Sequence, residues 1–272
     1  SPRRVDIAVA VRLHRNMIKS VTSRKGLRSI AVGGMIVALS GSLLMANPAQ
    51  AAKTKAMSED ALASSSVKLG DLPRWMINTA DPSLTQMYKD GRRPPQADLC
   101  LDANGAQLLG PRPKQYMESV AITRENVDEL SAVEINSNIY QYANRSAAVR
   151  AWNRLNVTVA KCAANIDLDI EEEGVEVKAS VKTEVETLPV LFGRPGVGIN
   201  LDVTVDVSAG DLTIDIAGDQ VGHYYLAGQS IIRVEYANIN GESPGSISRV
   251  NREFVSTLAI VVAQRIERRS AR

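Results

Sequence analysis

Cys100 and Cys162 are the chain's two cysteines, and they form its most constrained chemical pair. Two thiols can serve as a redox couple, as half of a metal site, or as a structural bridge. Beyond residue 51 the chain has one histidine, His223, so a closed protein-ligated zinc site has no ligand set and no metal site is expected. Cys100 falls in a loop-like stretch, 89–114, where few other contacts would hold the chain. Cys162 ends a helical stripe. In an exported protein this arrangement predicts a disulfide. The closed loop of about 62 residues corresponds to roughly 4 kcal/mol in the chain-entropy model.

The other reactive types come without the context that chemistry needs. No G-x-S-x-G elbow or other nucleophile motif accompanies His223. The stretch Gly222-His223-Tyr224-Tyr225 reads as a strand edge or loop entry, with His223 a polar surface group. Asp202, Asp206, Asp211, Asp215 and Asp219 lack the D-x-D-x-D-G loop and distal Glu of a calcium site, and their spacing predicts the wet face of strands. Glu171-Glu172-Glu173 reads as a solvated turn. Gly193-Arg194-Pro195-Gly196-Val197-Gly198 matches neither a P-loop nor G-x-G-x-x-G, and is expected to be a flexible inter-strand loop. The aromatic residues leave two readings open. Sheet packing is the default, while Tyr140, Tyr142 and Tyr224 are the candidates for a ligand groove. No catalytic residue and no cofactor are assigned.

The elements that would position these residues are legible as patterns. Tyr116–Ala121 and 132–142 alternate with β-branched and aromatic residues and read as strands. Asn144 caps a helix over about 145–162, with Ala148, Trp152, Leu155, Val159 and Cys162 on one stripe. Residues 175–186 alternate with Val175, Val177, Ala179, Val181 and Val185 inward. Residues 199–207 repeat the scheme, 212–216 follow a turn, and another strand covers about 230–237. A last helix, about 246–268, carries Ile247, Val250, Phe254, Leu258, Val261 and Ile266, with Arg265, Arg268 and Arg269 near its C-terminus. The fold class is therefore α+β: an antiparallel sheet of about five to six strands packed against two main helices.

Charge divides the chain. Residues 1–51 hold eight basic residues and one acid, which leaves 52–272 at about −5 and argues against a nucleic-acid partner. Lys19, Arg24, Lys25 and Arg28 precede the 15-residue apolar run Ile30 to Leu44, and Ala49-Gln50-Ala51 supplies an A-x-A site. These features predict a secretory signal peptide starting at Met17 and cut between Ala51 and Ala52, with no lipobox Cys at the cut. The run is short of the roughly 20 apolar residues of a spanning helix, so no transmembrane span is expected after cleavage. Residues 52–68 read as a polar tether with one possible helical turn around 58–63, and residues 69–272 as a single domain.

The order of these features resembles the extracytoplasmic sensor domain of actinobacterial Ser/Thr kinases of the PknH type, with its secreted and lipoprotein relatives. Asp71-Leu72-Pro73-Arg74-Trp75 is similar to the family's D-L-P-x-G-W-like segment without the Gly. Ala147 to Leu155, followed by Cys162, is similar to its A-x-x-A-x-x-x-L helix ending in Cys. The second disulfide frequent in that family has no cysteines here. No Gly-rich ATP loop or H-R-D loop is present. The resemblance implies a non-enzymatic ligand-binding or sensor-like domain of the cell envelope, secreted, whose partner would be a small molecule, a lipid or a cell-wall component. The alternatives are a secreted hydrolase, or a structural envelope or host-interaction protein.

Overall fold

Alternation dominates the chain between residues 115 and 240, and, helix 145–159 apart, the described part of that stretch folds mainly as strands. The computed structural model describes residues 56–72, 84–88, 96–126, 131–172, 175–209, 212–240 and 249–271. The expected signal sequence with its cleavage point, Trp75 and Asp211 lie outside the described residues. A short helix α1 (Glu59–Ala63) is capped by Ser58, whose hydroxyl accepts from the Ala61 amide, as the helical turn around 58–63 anticipated. Ten strands follow: β1 (Leu84–Tyr88), β2 (Asp98–Leu101), β3 (Gln107–Leu109), β4 (Gln115–Asn126), β5 (Ser131–Gln141), β6 (Asn165–Glu172), β7 (Val175–Leu191), β8 (Arg194–Ala209), β9 (Leu212–Ala227) and β10 (Ser230–Asn240). Helix α2 (Arg145–Val159) lies between β5 and β6, and α3 (Arg249–Ser270) closes the chain.

Eight strands form one antiparallel sheet in the order β1-β4-β5-β10-β9-β8-β7-β6, and β2 with β3 forms a separate hairpin. The α+β class holds, but the sheet is larger than the five to six strands expected. β6 was missed because its acids, Asp167, Asp169, Glu171 and Glu172, alternate with Ile166 and Leu168. Read as strand, that alternation pairs Ile166 with Val181 and Leu168 with Ala179. The supposed loop 193–198 is mostly the start of β8, with only the Phe192–Gly193 turn outside a strand.

Both faces of the central strands are covered. On one face, Val255, Leu258, Ala259, Val262, Ala263 and Ile266 of α3 pack on Met117, Ile135, Ile139, Val221, Tyr225, Ile232 and Val234. The buried stripe is rotated from the expected one: Phe254 and Val261 are only half-buried, while Ala259 and Ala263 lie inside. Small side chains let the helix axis approach the sheet. On the other face, Ala148, Ala151, Trp152, Leu155 and Val159 of α2 pack on Tyr116, Tyr140, Tyr224, Leu226 and Ile231. Asn144 caps α2, its Oδ1 accepting from the Ala147 amide at 2.8 Å.

The Cys100–Cys162 disulfide is present, with the two Cα atoms 5.6 Å apart. It ties β2 to the turn after α2. Cys100 therefore lies on a short strand, not in an irregular loop, and the main-chain bond from Ala163 N to Leu101 O continues the same junction. Asp71 of the D-L-P segment is held by Arg265 of α3 through two bonds of 2.7 Å.

Candidate functional site

The strand registers decide which side chains share a face. Arg233 of β10 stands opposite Asn138 of β5 and Tyr224 of β9, so all three face α2. One step along the strands on that face, Ile231 stands opposite Tyr140, and Tyr140 opposite Tyr116. One step the other way, Glu235 stands opposite Asn136. The result is a polar cluster inside an apolar layer. The Arg233 guanidinium carbon lies 5.6 Å from the Tyr224 ring centroid, a cation–π distance, and Arg233 forms an ion pair with Glu235. Tyr116 donates its hydroxyl to Asn138 Oδ1 at 2.5 Å and stacks at a tilt on Tyr140, centroids 5.0 Å apart. Tyr224 donates to the Asp98 carbonyl at 3.2 Å, and Tyr142 to the Pro111 carbonyl at 2.9 Å. Asn136 donates to Glu134 at 2.6 Å.

The electrostatics follow from burial. Burial pushes the Tyr140 phenol up to about 12, despite the opposing pull of Arg233, and raises Tyr142 and Tyr224 as well. All three are neutral hydrogen-bond donors at ordinary pH. Burial works against the charge of Arg233, but its pKa stays above the ordinary guanidinium value, so it is cationic. Its Nε and the Asn136 Oδ1 are buried without a hydrogen-bond partner. Such groups cost free energy unless something satisfies them. The arrangement offers one cation paired with Glu235, neutral phenols and amides, which is a vocabulary for binding a polar group.

The structure thus brings Tyr140, Tyr142 and Tyr224 together on one face, as a groove would need, but under α2 and deep in its apolar cluster rather than along an open cleft. The central residue, Arg233, was missed. Its signal was available: Ile231, Ile232, Val234 and Tyr236 are apolar on both parities, so the strand is buried on both faces and a charge within it must be paired.

His223 is the second departure. It is not a surface group: it sits in the interior of β9, 1% exposed, on the face toward α3. Glu186 reaches it from β7 across Gly198, with Oε1 3.5 Å from His223 Nε2, and Asn200 donates to the same Glu186 oxygen at 2.9 Å. The crossing needs a glycine, because a Cβ at position 198 would come within 2.5 Å of Glu186 Cγ. Gly196 does the same for Tyr225, whose ring would lie 2.5 Å from an added Cβ. Burial lowers the His223 pKa, and Glu186 only partly offsets this, so the imidazole is neutral. Arg252 of α3 closes the row through Glu184 at 2.6 Å. A base without a nucleophile within hydrogen-bond reach is a packing group first.

The acid series splits as well. Asp206 and Asp215 are exposed, as a wet face requires, but Asp219 is 6% exposed, accepts from Asn238 at 3.1 Å, and has its pKa raised by burial and by Asp202. No cluster of three or more metal-ligating side chains occurs among the described residues. No helix among them is long and apolar enough to cross a membrane.

No family model matches the chain, and no curated protein does. Among solved structures, the chain is similar over 55% of its length to the human StarD13 lipid transfer and protein localization domain, covering 84% of that chain at 8% identity with a TM-score of 0.19.

Proposed function

We propose that this chain is an exported, non-enzymatic ligand-binding or sensor-like domain of the cell envelope, with the Arg233–tyrosine cluster as its receptor end. The observation that carries this reading is the convergence of Tyr140 and Tyr224 on the Arg233 cation within the apolar layer under α2. A polar ligand group reaching Arg233 from the Glu134–Asn136 side would satisfy it, and α2 would supply the apolar wall. Export rests on the basic, apolar and A-x-A segments before residue 52, and the disulfide fits an oxidising compartment. The ligand class that suits these groups is an amphiphile with an oxygen-rich head, from a lipid or a cell-wall component.

The test is native mass spectrometry of the purified protein for a copurifying molecule, alongside Tyr140→Phe and Arg233→Gln. Tyr140→Phe preserves packing and removes one donor, so a bound polar molecule should be lost or weakened about tenfold, the worth of one good hydrogen bond. A retained ligand in both variants would move the site elsewhere. Turnover of esterase, glycosidase or peptidase substrates that disappears in His223→Ala would establish the hydrolase reading instead.

A further inference from the structure

The β7–β8 hairpin ends in the turn Leu191-Phe192-Gly193-Arg194. Both central residues have positive φ, 52° at Phe192 and 79° at Gly193, and Phe192 is the sole non-glycine with positive φ among the described residues. Two-residue turns of this kind favour Asn or Asp at the first position, because a bulky L side chain is strained there. The ring is not withdrawn into the core: Phe192 is 37% exposed, and Val190 beside it 67%. Large apolar residues left part-exposed at a turn with an unfavourable backbone conformation mark a contact surface.

The surroundings of the tip say what kind of contact. The registers place the 227–230 turn, the start of β4 and the end of β5 at the same end of the sheet as this hairpin. The α3 C-terminus joins them, with Gly228 donating to Glu267. Arg112, Lys114, Arg145, Arg194, Arg268 and Arg269 cluster at these turns and termini. Among the described residues the acids nearby are Glu59 and Asp60 of α1, Asp98 of β2 and Glu267, which Arg145 engages at 3.0 Å. The opposite end of β6–β9 has the reverse sign: Asp167, Asp169, Asp206 and Asp215 are exposed, against Lys178, which is taken by Glu176 at 2.7 Å, and Lys182, which stands opposite Asp202. The long axis of the strands therefore runs from a basic end bearing an apolar tip to an acidic end.

The geometry points to docking of the basic end on an anionic lipid surface, with Phe192 and Val190 entering the headgroup boundary and the surrounding Arg and Lys facing lipid phosphates. The acidic far end is repelled by the same surface, so the charge polarity orients the molecule as well as attracting it. The inference is independent of the Arg233 cluster, which lies within the sheet face and not at its end.

Phe192→Trp in the full chain supplies a local reporter over the Trp75 and Trp152 background. With phosphatidylglycerol-containing vesicles bearing brominated acyl chains, its added emission should be quenched, and the quenching should fall about tenfold in pure phosphatidylcholine or high salt. Emission indifferent to the brominated anionic vesicles would overturn the inference, as would equal quenching in phosphatidylcholine. Phe192→Asn, which suits the turn, should melt no lower than the parent. A lower melting temperature would mean that the ring serves the fold, and a switch from dimer to monomer would mean that the tip meets a second copy; either result overturns lipid docking.

Discussion

His223 owes its state to its neighbours rather than to its intrinsic chemistry. Its pKa is lowered in the folded protein, so the unfolded chain takes up the proton first as pH falls. Stability on this account is complete above the ordinary histidine value of about 6.5 and declines below it, by up to about 1.4 kcal/mol per pH unit. The groups around the imidazole are Glu186, Asn200 and, through Glu184, Arg252. Denaturant titrations across the acid range should show a shallower pH slope in His223→Gln than in the parent; an unchanged slope would mean that another group carries the acid sensitivity. Gly196 is the other residue whose role is visible only in space. Gly196→Ala forces a Cβ against the buried Tyr225 ring, an overpacking expected to cost about 1–3 kcal/mol and to lower the melting temperature. Neither role was legible in the sequence, for one reason. Gly196, Gly198 and Gly222 look like punctuation, and a reader who breaks the strands there puts His223 at an edge. In the sheet Gly196 and Gly198 are the seats that let large side chains from the next strand cross.

At the scale of elements, α2 and the alternating stretches 175–186, 199–207 and 212–216 were legible because each carries a complete local signal. Asn144 caps, Ala148 to Val159 repeat with helical spacing, and residues 175–186 alternate. The α3 stripe was legible in part, at Leu258 and Ile266, but alanines count for little in a hydrophobic pattern, and Ala259 and Ala263 are what brings the helix onto the sheet. β2 and β3 were not legible at all. They are short, lie among glycines and prolines, and gain their order from the Cys100–Cys162 bridge and the packing of Leu99 under α2. Reduction should therefore act on one junction first. The expected loss is about 4 kcal/mol of global stability from loop closure, read as a lowered melting temperature. Faster exchange of the 98–109 amides should accompany it. Rapid alkylation of both thiols in the native, unreduced protein would contradict the bridge.

At the scale of the molecule, the sheet is anchored at its centre and free at its margins. β10 sits between β5 and β9, which precede it by very different distances in sequence, and with β9 it is covered by both helices. β6 to β9 form a meander of local hairpins, so that half can pair without waiting for the rest, whereas β5 and β10 must close a loop of nearly ninety residues. Burial follows the same division. Residues 221–232 are buried without a break, while Asp206, Thr213 and Asp215 at the far end of the meander are exposed. Opening free energies should be graded along single strands, not constant within them. Hydrogen exchange of the native protein should find amides of 221–226 and 231–236 protected to near the global stability. Those of 205–208 and 213–216 should exchange through local opening at much lower cost, although they belong to strands β8 and β9 that also serve the core. The like charges of Asp206 and Asp215, directly opposite each other, add to that fraying, and salt should slow it by screening them. Uniform protection from Ile199 to Val207 would instead mean that the acidic end is held by something beyond the backbone ladder and the two helices.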